Sequence, residues 1–202
     1  MSIVEEVITY KLILLGDHNV GKTSIINRYC DDIYEDNSLA TIGIDTRKKE
    51  VIYQNKTYEL QIWDTAGQER YLSLSQSTCK TADGIIFVFD LSSKPSFNHI
   101  RSWYDSIKEL VNMESIGLLL VGNKCDVQDK INKKTVEKFY GKYKMKYIEC
   151  SAKENLFIDD IFNSILANII KLDSEGGNKR RKFGTFGLKN QESNKKDSKG
   201  CC

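Results

Sequence analysis

Three short stretches of this chain are almost unbroken runs of apolar side chains: Tyr10–Leu15, Gly84–Asp90 and Leu118–Gly122. Runs of this length, closed by glycine or polar residues, read as strands buried on both faces, the pattern of a parallel sheet. Lys48–Tyr53 and Tyr58–Asp64 alternate apolar and polar positions around Gln54-Asn55-Lys56 and predict an antiparallel hairpin. Lys146–Cys150 predicts a last strand. Helical spacing fills the gaps between these runs. Thr23–Cys30 predicts a helix after a glycine-rich turn, and Lys133–Tyr143 predicts another. Over Ser96–Val111 the apolar residues Phe97, Ile100, Trp103, Ile107 and Leu110 recur every three or four positions. Over Leu156–Leu172 the inner face is Phe157, Ile161, Phe162, Ile165, Ile169 and Leu172.

Apolar strands alternating with helices predict an α/β fold, a mostly parallel six-stranded sheet with one antiparallel hairpin at its edge and helices on both faces. Sheets of this kind bind ligands outside the carboxyl ends of their strands. Each chemically suggestive segment of the chain is expected just past such an end.

Composition changes the picture only at the C-terminus. The 202 residues carry 40% apolar and 29% charged side chains, ordinary usage for one soluble domain plus a tail. Net charge is +2, but from Asp173 onward there are eight basic against four acidic residues, leaving twenty-two against twenty-four in the remainder. A mildly acidic body and a basic tail suggest that the tail meets an anionic partner. Residues 173–202 turn to Lys, Asn, Ser and Gly, with Phe183, Phe186 and Leu188 as the only large apolar residues, so a disordered tail is expected after a domain spanning 1–172. No run of about 18 apolar residues predicts a membrane span. Met1–Tyr10 has Glu5 and Glu6 and no basic stretch, so no signal peptide is expected, and Ser2 stands where myristoylation needs glycine. Cys30, Cys79, Cys125 and Cys150 are scattered singly, which fits a reduced cytosolic setting.

Gly16, Asp17, His18, Asn19, Val20, Gly21, Lys22 and Thr23 fit G-x-x-x-x-G-K-[ST], followed by Ser24 in the helix. The glycines allow a sharp turn that points consecutive N–H groups at phosphate oxygens, and the helix adds its positive end. Lys22 supplies a point charge for the β and γ phosphates, and the Thr23 hydroxyl can take one position around Mg²⁺. This loop serves kinases, ATPases and GTPases alike. Two further segments choose among them. Asn123, Lys124, Cys125 and Asp126 follow the third buried strand. A carboxylate at Asp126 can accept from N1–H and the 2-amino group of guanine, while adenine offers neither donor and would leave the charge unpaired. Lys124 can lay its stem along the ring, and Asn123 can tie loops together. Ser151, Ala152 and Lys153 follow the last strand, where the Ala152 N–H can meet the guanine oxygen. Asp64-Thr-Ala-Gly67-Gln68-Glu-Arg70 closes the hairpin's second strand. There Asp64 can hold Mg²⁺ through water, the Gly67 N–H can contact the γ-phosphate, and Gln68 can orient the attacking water. Thr41 offers a second hydroxyl to the metal. Lys22, Gly67 and Gln68 are thus the expected catalytic residues.

In this order the motifs resemble those of the Ras superfamily of small GTPases, and the resemblance covers roughly residues 8–172. Ile42-Gly43-Ile44-Asp45, Leu60–Tyr71 and the terminal Cys201-Cys202 resemble the Rab branch in particular. The resemblance implies a P-loop NTPase G domain, GTP/GDP and Mg²⁺ as ligands, slow intrinsic hydrolysis, and a switch regulating vesicle-mediated protein transport. It implies Tyr34 as the aromatic packing on guanine. It also implies an exchange factor, a GTPase-activating protein, a GDP-dissociation inhibitor or escort protein, and effectors, with the chain a monomer and no nucleic acid involved. Cys201 and Cys202 resemble sites receiving two geranylgeranyl groups; two chains anchor stably where one does not, and Lys179–Lys182 would add attraction to an anionic leaflet. The expected location is the cytoplasmic face of an intracellular membrane, in exchange with cytosol.

The chain also departs from that pattern. His18-Asn19 stands where Rab proteins usually have Ser-Gly; the ring either intrudes beside the γ-phosphate and slows stimulated hydrolysis or points to solvent. Thr46, Thr78 and Cys79 stand where the family has aromatics that join Trp63 in an exposed effector surface, which implies unusual effectors. Two rival readings are a P-loop kinase, opposed by Asp126 and Ser151–Lys153, and a GTP-binding scaffold without turnover, opposed by Gln68.

Overall fold

A computed structural model describes residues 7–36, 41, 43–65 and 77–176. The expected sheet is present: β1 Ile8–Leu15, β2 Ile44–Tyr53, β3 Lys56–Thr65, β4 Gly84–Asp90, β5 Gly117–Asn123 and β6 Lys146–Glu149. The strand order is β2-β3-β1-β4-β5-β6, and every pairing is parallel except β2 with β3. Four helices are named among the described residues: α1 Lys22–Asp31, α2 Lys94–Ile107, α3 Lys133–Lys142 and α4 Ile158–Ser174.

The two-residue period of the strands divides the core. Leu12, Leu14, Ile86, Val88, Leu119 and Val121 face α1 and α4, which contribute Ile25, Ile26, Phe162 and Ile165. Ile13, Leu15, Ile85, Phe87, Phe89 and Leu120 face α2 and α3, which contribute Phe97, Ile100, Trp103 and Val136. Apolar side chains on both faces of the central strands explain the unbroken runs in the sequence.

Several boundaries differ from expectation for local reasons. The hairpin is longer and its turn tighter: Gln54 and Asn55 both take positive φ, 50° and 60°, and Tyr53 pairs directly with Lys56. Positive φ at both central residues matches the right-handed twist of the flanking strands. Helix α2 begins at Lys94, because the Ser93 hydroxyl accepts from the Ser96 N–H and Pro95 suits the first turn. Helix α4 begins at Ile158 and not Leu156, because Leu156 pairs back onto Ser151 and Phe157 takes φ 56°. It continues to Ser174, past the boundary expected at 172, and Asp173 accepts a 2.6 Å hydrogen bond from the Tyr10 hydroxyl. The rest of the expected tail, from 177, lies outside the described residues.

Candidate functional site

Gly16 turns the chain out of β1. Its φ is +151°, and a Cβ there would lie 2.1 Å from the Val88 carbonyl oxygen, so only glycine fits against β4. Gly21 has φ +92°, and its Cβ would lie 2.3 Å from Asn123 Nδ2. Between these glycines Val20 is buried, Asp17 is half-buried, and His18 and Asn19 are exposed. Lys22 begins α1, with Ser24 half-buried in its first turn. The Lys22 ammonium donates to the Gly16 and Asp17 carbonyls at 2.8 Å each. Burial lowers its pKa from 10.5 to about 8, against the pull of the Asp64 and Asp17 charges. An anion brought to this ammonium would favour its charged form.

Three oxygens converge beside the loop. The Thr23 hydroxyl donates to Asp64 Oδ2 at 2.5 Å and lies 2.9 Å from the Thr41 hydroxyl, which donates to the same carboxylate oxygen at 3.4 Å. Asp64 is buried at the end of β3, and its Oδ1 has no hydrogen-bond partner among the described residues. Burial raises its pKa, while the two hydroxyls and the Lys22 charge work the other way. A buried carboxylate with one orphaned oxygen and two hydroxyls is a hard, oxygen-only donor set, which suits Mg²⁺ better than a softer metal.

Asn123 ends β5 with its side chain 2% exposed. Its Nδ2 donates to the Val20 carbonyl at 2.9 Å, and its Oδ1 accepts from the Ala152 N–H at 3.2 Å and the Cys150 thiol at 3.5 Å. One side chain thus joins the 16–23 loop to the loop after β6. The Ala152 N–H, expected to face a ligand, is engaged by Asn123. Asp126 accepts from the Ser151 hydroxyl at 2.6 Å, and that hydroxyl accepts in turn from the Glu154 N–H at 3.0 Å. The Lys124 ammonium bridges the loops again, at 2.6 Å from Asp90 Oδ2 and 2.9 Å from the Asn19 carbonyl. Lys153 is exposed, and Tyr34 is half-buried with the Arg28 guanidinium 5.8 Å from its ring centroid.

Two groups of contacts had no signal in the sequence. Arg28 crosses from α1 to the carbonyls of Ala152 and Lys153. Asp17 is held from α2 by Trp103 Nε1 at 2.9 Å and His99 Nδ1 at 2.7 Å. Trp103 is legible as a core residue, but nothing in its spacing shows that its indole N–H meets a loop residue. The exposed aromatic surface also needs correction. Thr46 is exposed and sits directly across from Trp63 in the hairpin, but Thr78 is buried and Cys79 is 0% exposed, packed in the core facing α2. Gly67, Gln68, Cys201 and Cys202 lie outside the described residues.

A glycine-turned loop feeding a helix at the carboxyl end of a central parallel strand defines a P-loop nucleotide-binding domain. Comparison with known proteins carries this further. The family model for the Ras family matches residues 11–171. The chain is 36% identical over 200 residues to the GTP-binding protein YPTM1 of Zea mays, covering 96% of this chain and 95% of that protein. It is 38% identical over 163 residues to Ras-related protein Rab-13 of Bos taurus, 80% of each chain. To Ras-related protein Rab-8A of Bos taurus it is 37% identical over 169 residues, 82% of this chain and 81% of that one. The chain belongs to the Ras family.

Proposed function

We propose that this chain is a Rab-like small GTPase, a GTP/GDP switch that hydrolyses GTP to GDP and phosphate in vesicle-mediated transport. The observation that carries the reading is the Asp126 carboxylate, fixed by Ser151 at 2.6 Å on a wall that Asn123 joins to the phosphate loop. A fixed carboxylate beside a phosphate cradle selects the purine that offers it two donors. Tyr34 covers the face of the base, and Lys124 borders it from the opposite loop. The amides of 16–21 and Lys22 hold the phosphates.

Thr23, Thr41 and Asp64 would hold Mg²⁺, the two hydroxyls and the carboxylate supplying the oxygen donors it prefers. The ion, when bound, neutralises charge on the β and γ phosphates. Thr41 belongs to the segment before β2, so its engagement couples that segment to the third phosphate; Gly67 couples the segment after β3. Gln68 orients the attacking water. Loss of the γ-phosphate releases both segments, which makes the cycle a switch.

Regulators and effectors follow from such a cycle: an exchange factor, an activating protein, a GDP-dissociation inhibitor or escort protein, and effectors that read the surface around Trp63 and Thr46. No helix among the described residues is long and apolar enough to cross a membrane. Attachment to the cytoplasmic face of an intracellular membrane is assigned to geranylgeranyl groups on Cys201 and Cys202, aided by the basic tail.

Single-turnover hydrolysis of bound GTP, with and without Mg²⁺, tests the reading. Wild type converts GTP to GDP only with the ion, and Gln68→Leu slows the conversion at least about tenfold, since a misplaced reactant can cost on the order of 10²-fold. Hydrolysis indifferent to Gln68 would remove that residue from its role.

A further inference from the structure

Arg28 lies in the last turn of α1, far in sequence from the loop after β6, yet two of its four hydrogen bonds go to carbonyls of that loop. Its Nε donates to the Ala152 carbonyl at 3.0 Å, and Nη2 donates to the Lys153 carbonyl at 3.3 Å. Nη1 donates to the Asp32 carbonyl at 2.9 Å and to Asp32 Oδ1 at 3.0 Å. Asp32 Oδ1 also accepts from Asn155 Nδ2 at 3.2 Å, so the loop is gripped a second time through the helix cap. The Arg28 side chain is only 16% exposed. A planar fork with five fixed donors suits this arrangement; an ammonium does not.

The loop itself is closed. Ser151 and Leu156 exchange both backbone hydrogen bonds, at 3.1 and 2.9 Å. Within it the amides of Ser151, Ala152, Glu154 and Leu156 have acceptors, and those of Lys153 and Asn155 have none among the described residues. The Ala152 N–H goes to Asn123 Oδ1, and the Glu154 N–H goes to the Ser151 hydroxyl. The Lys153 N–H is the one between them for which no acceptor occurs among the described residues. It shares a peptide plane with the Ala152 carbonyl that Arg28 holds. In a trans peptide the C=O and N–H point in opposite directions. Fixing that carbonyl against α1 therefore aims the Lys153 N–H away from α1 and fixes its direction.

We propose that Arg28 is a positioning residue for guanine recognition: by holding the Ala152 carbonyl it aims the Lys153 N–H at the carbonyl oxygen of the base. The inference rests on the guanine-nucleotide reading given above and adds to it the donor and the side chain that sets its direction.

The test compares release of GDP with release of 6-thio-GDP, in which sulfur, a weak acceptor, replaces the base oxygen while N1–H and the 2-amino group remain. In wild type, 6-thio-GDP leaves faster than GDP. Arg28→Ala speeds GDP release roughly two- to tenfold, the worth of one well-placed hydrogen bond, and leaves 6-thio-GDP release nearly unchanged. The two nucleotides then leave at similar rates. Arg28→Lys, which keeps the charge and the stem packing but not the fork, shifts the ratio in the same direction and serves if the alanine variant does not fold. Equal acceleration of both nucleotides by either variant, or acceleration of neither, overturns the inference. Failure of wild type to bind GDP at all is a different result and overturns the guanine reading instead.

Discussion

Asn123 Nδ2 donates to the Val20 carbonyl at 2.9 Å, across 103 residues of sequence, and a Cβ on the neighbouring Gly21 would lie 2.3 Å from that same nitrogen. The phosphate loop and the end of β5 are therefore in direct contact, with no room for a side chain between them. Asn123→Ala leaves the Val20 carbonyl and the Ala152 N–H without their partner in a buried place. Unmet buried groups of this kind cost about 1–3 kcal/mol each, so the variant with two of them loses roughly 2–6 kcal/mol of stability. Thermal unfolding checks this, with a melting temperature lower by about 2–4 °C per kcal/mol lost, at least about 4 °C in all.

The Thr23, Thr41 and Asp64 cluster ties metal to nucleotide. In wild type, chelating Mg²⁺ speeds GDP release. Thr23→Val keeps the shape and removes the hydroxyl that lies 2.5 Å from Asp64. It lowers Mg²⁺ affinity at least about tenfold, since even outer partners of a metal site are worth 10–100-fold. Release from the variant then responds little to chelator. A variant as chelator-sensitive as wild type would show that Thr23 is not a ligand.

His18 is exposed in the phosphate loop. Exposed substitutions usually shift free energies by less than about 0.5 kcal/mol, so His18→Ser leaves the intrinsic hydrolysis rate within about twofold. Its stimulated rate with an activating protein rises, because the exposed ring stands in the way of that protein's finger residue. Equal stimulated rates would discard the obstruction and leave His18 as a solvent-facing residue.

Replacing Cys201 and Cys202 together with serine removes both sites assigned to lipid. The variant moves from membrane to soluble fractions of cells while nucleotide binding is unchanged. Retention at the membrane would assign anchoring to the basic tail alone.

Much of the fold was legible because its central strands are apolar on both faces. Gly84–Asp90 was readable to the residue. Ends set by a single hydrogen bond or one backbone angle were not: the Ser93 cap starts α2 early, and positive φ at Phe157 delays α4. In the site, the residues of the contiguous motifs were legible because chemistry fixes their type and spacing. One position differs slightly from expectation: Asn123 is the last residue of β5, where it was expected just past the strand, while Asp64 lies one residue before the end of β3. Arg28 and the Asp17 contacts with His99 and Trp103 were invisible for a different reason. They join side chains to groups 82 to 125 positions away, and such contacts leave no period in the sequence. Cys79 shows the opposite failure: a family position expected at the surface is buried in this chain.

Competition among GTP, ATP and XTP for the purified protein tests the central claim most directly, read together with Asp126→Asn. The account predicts that wild type prefers GTP over ATP by a factor on the order of 10⁴, as expected where a buried acceptor must be matched. It predicts that the variant turns toward XTP, whose 2-oxo group accepts where guanine's amino group donates. Equal affinity of wild type for GTP and ATP, or an unchanged preference in the variant, would contradict it.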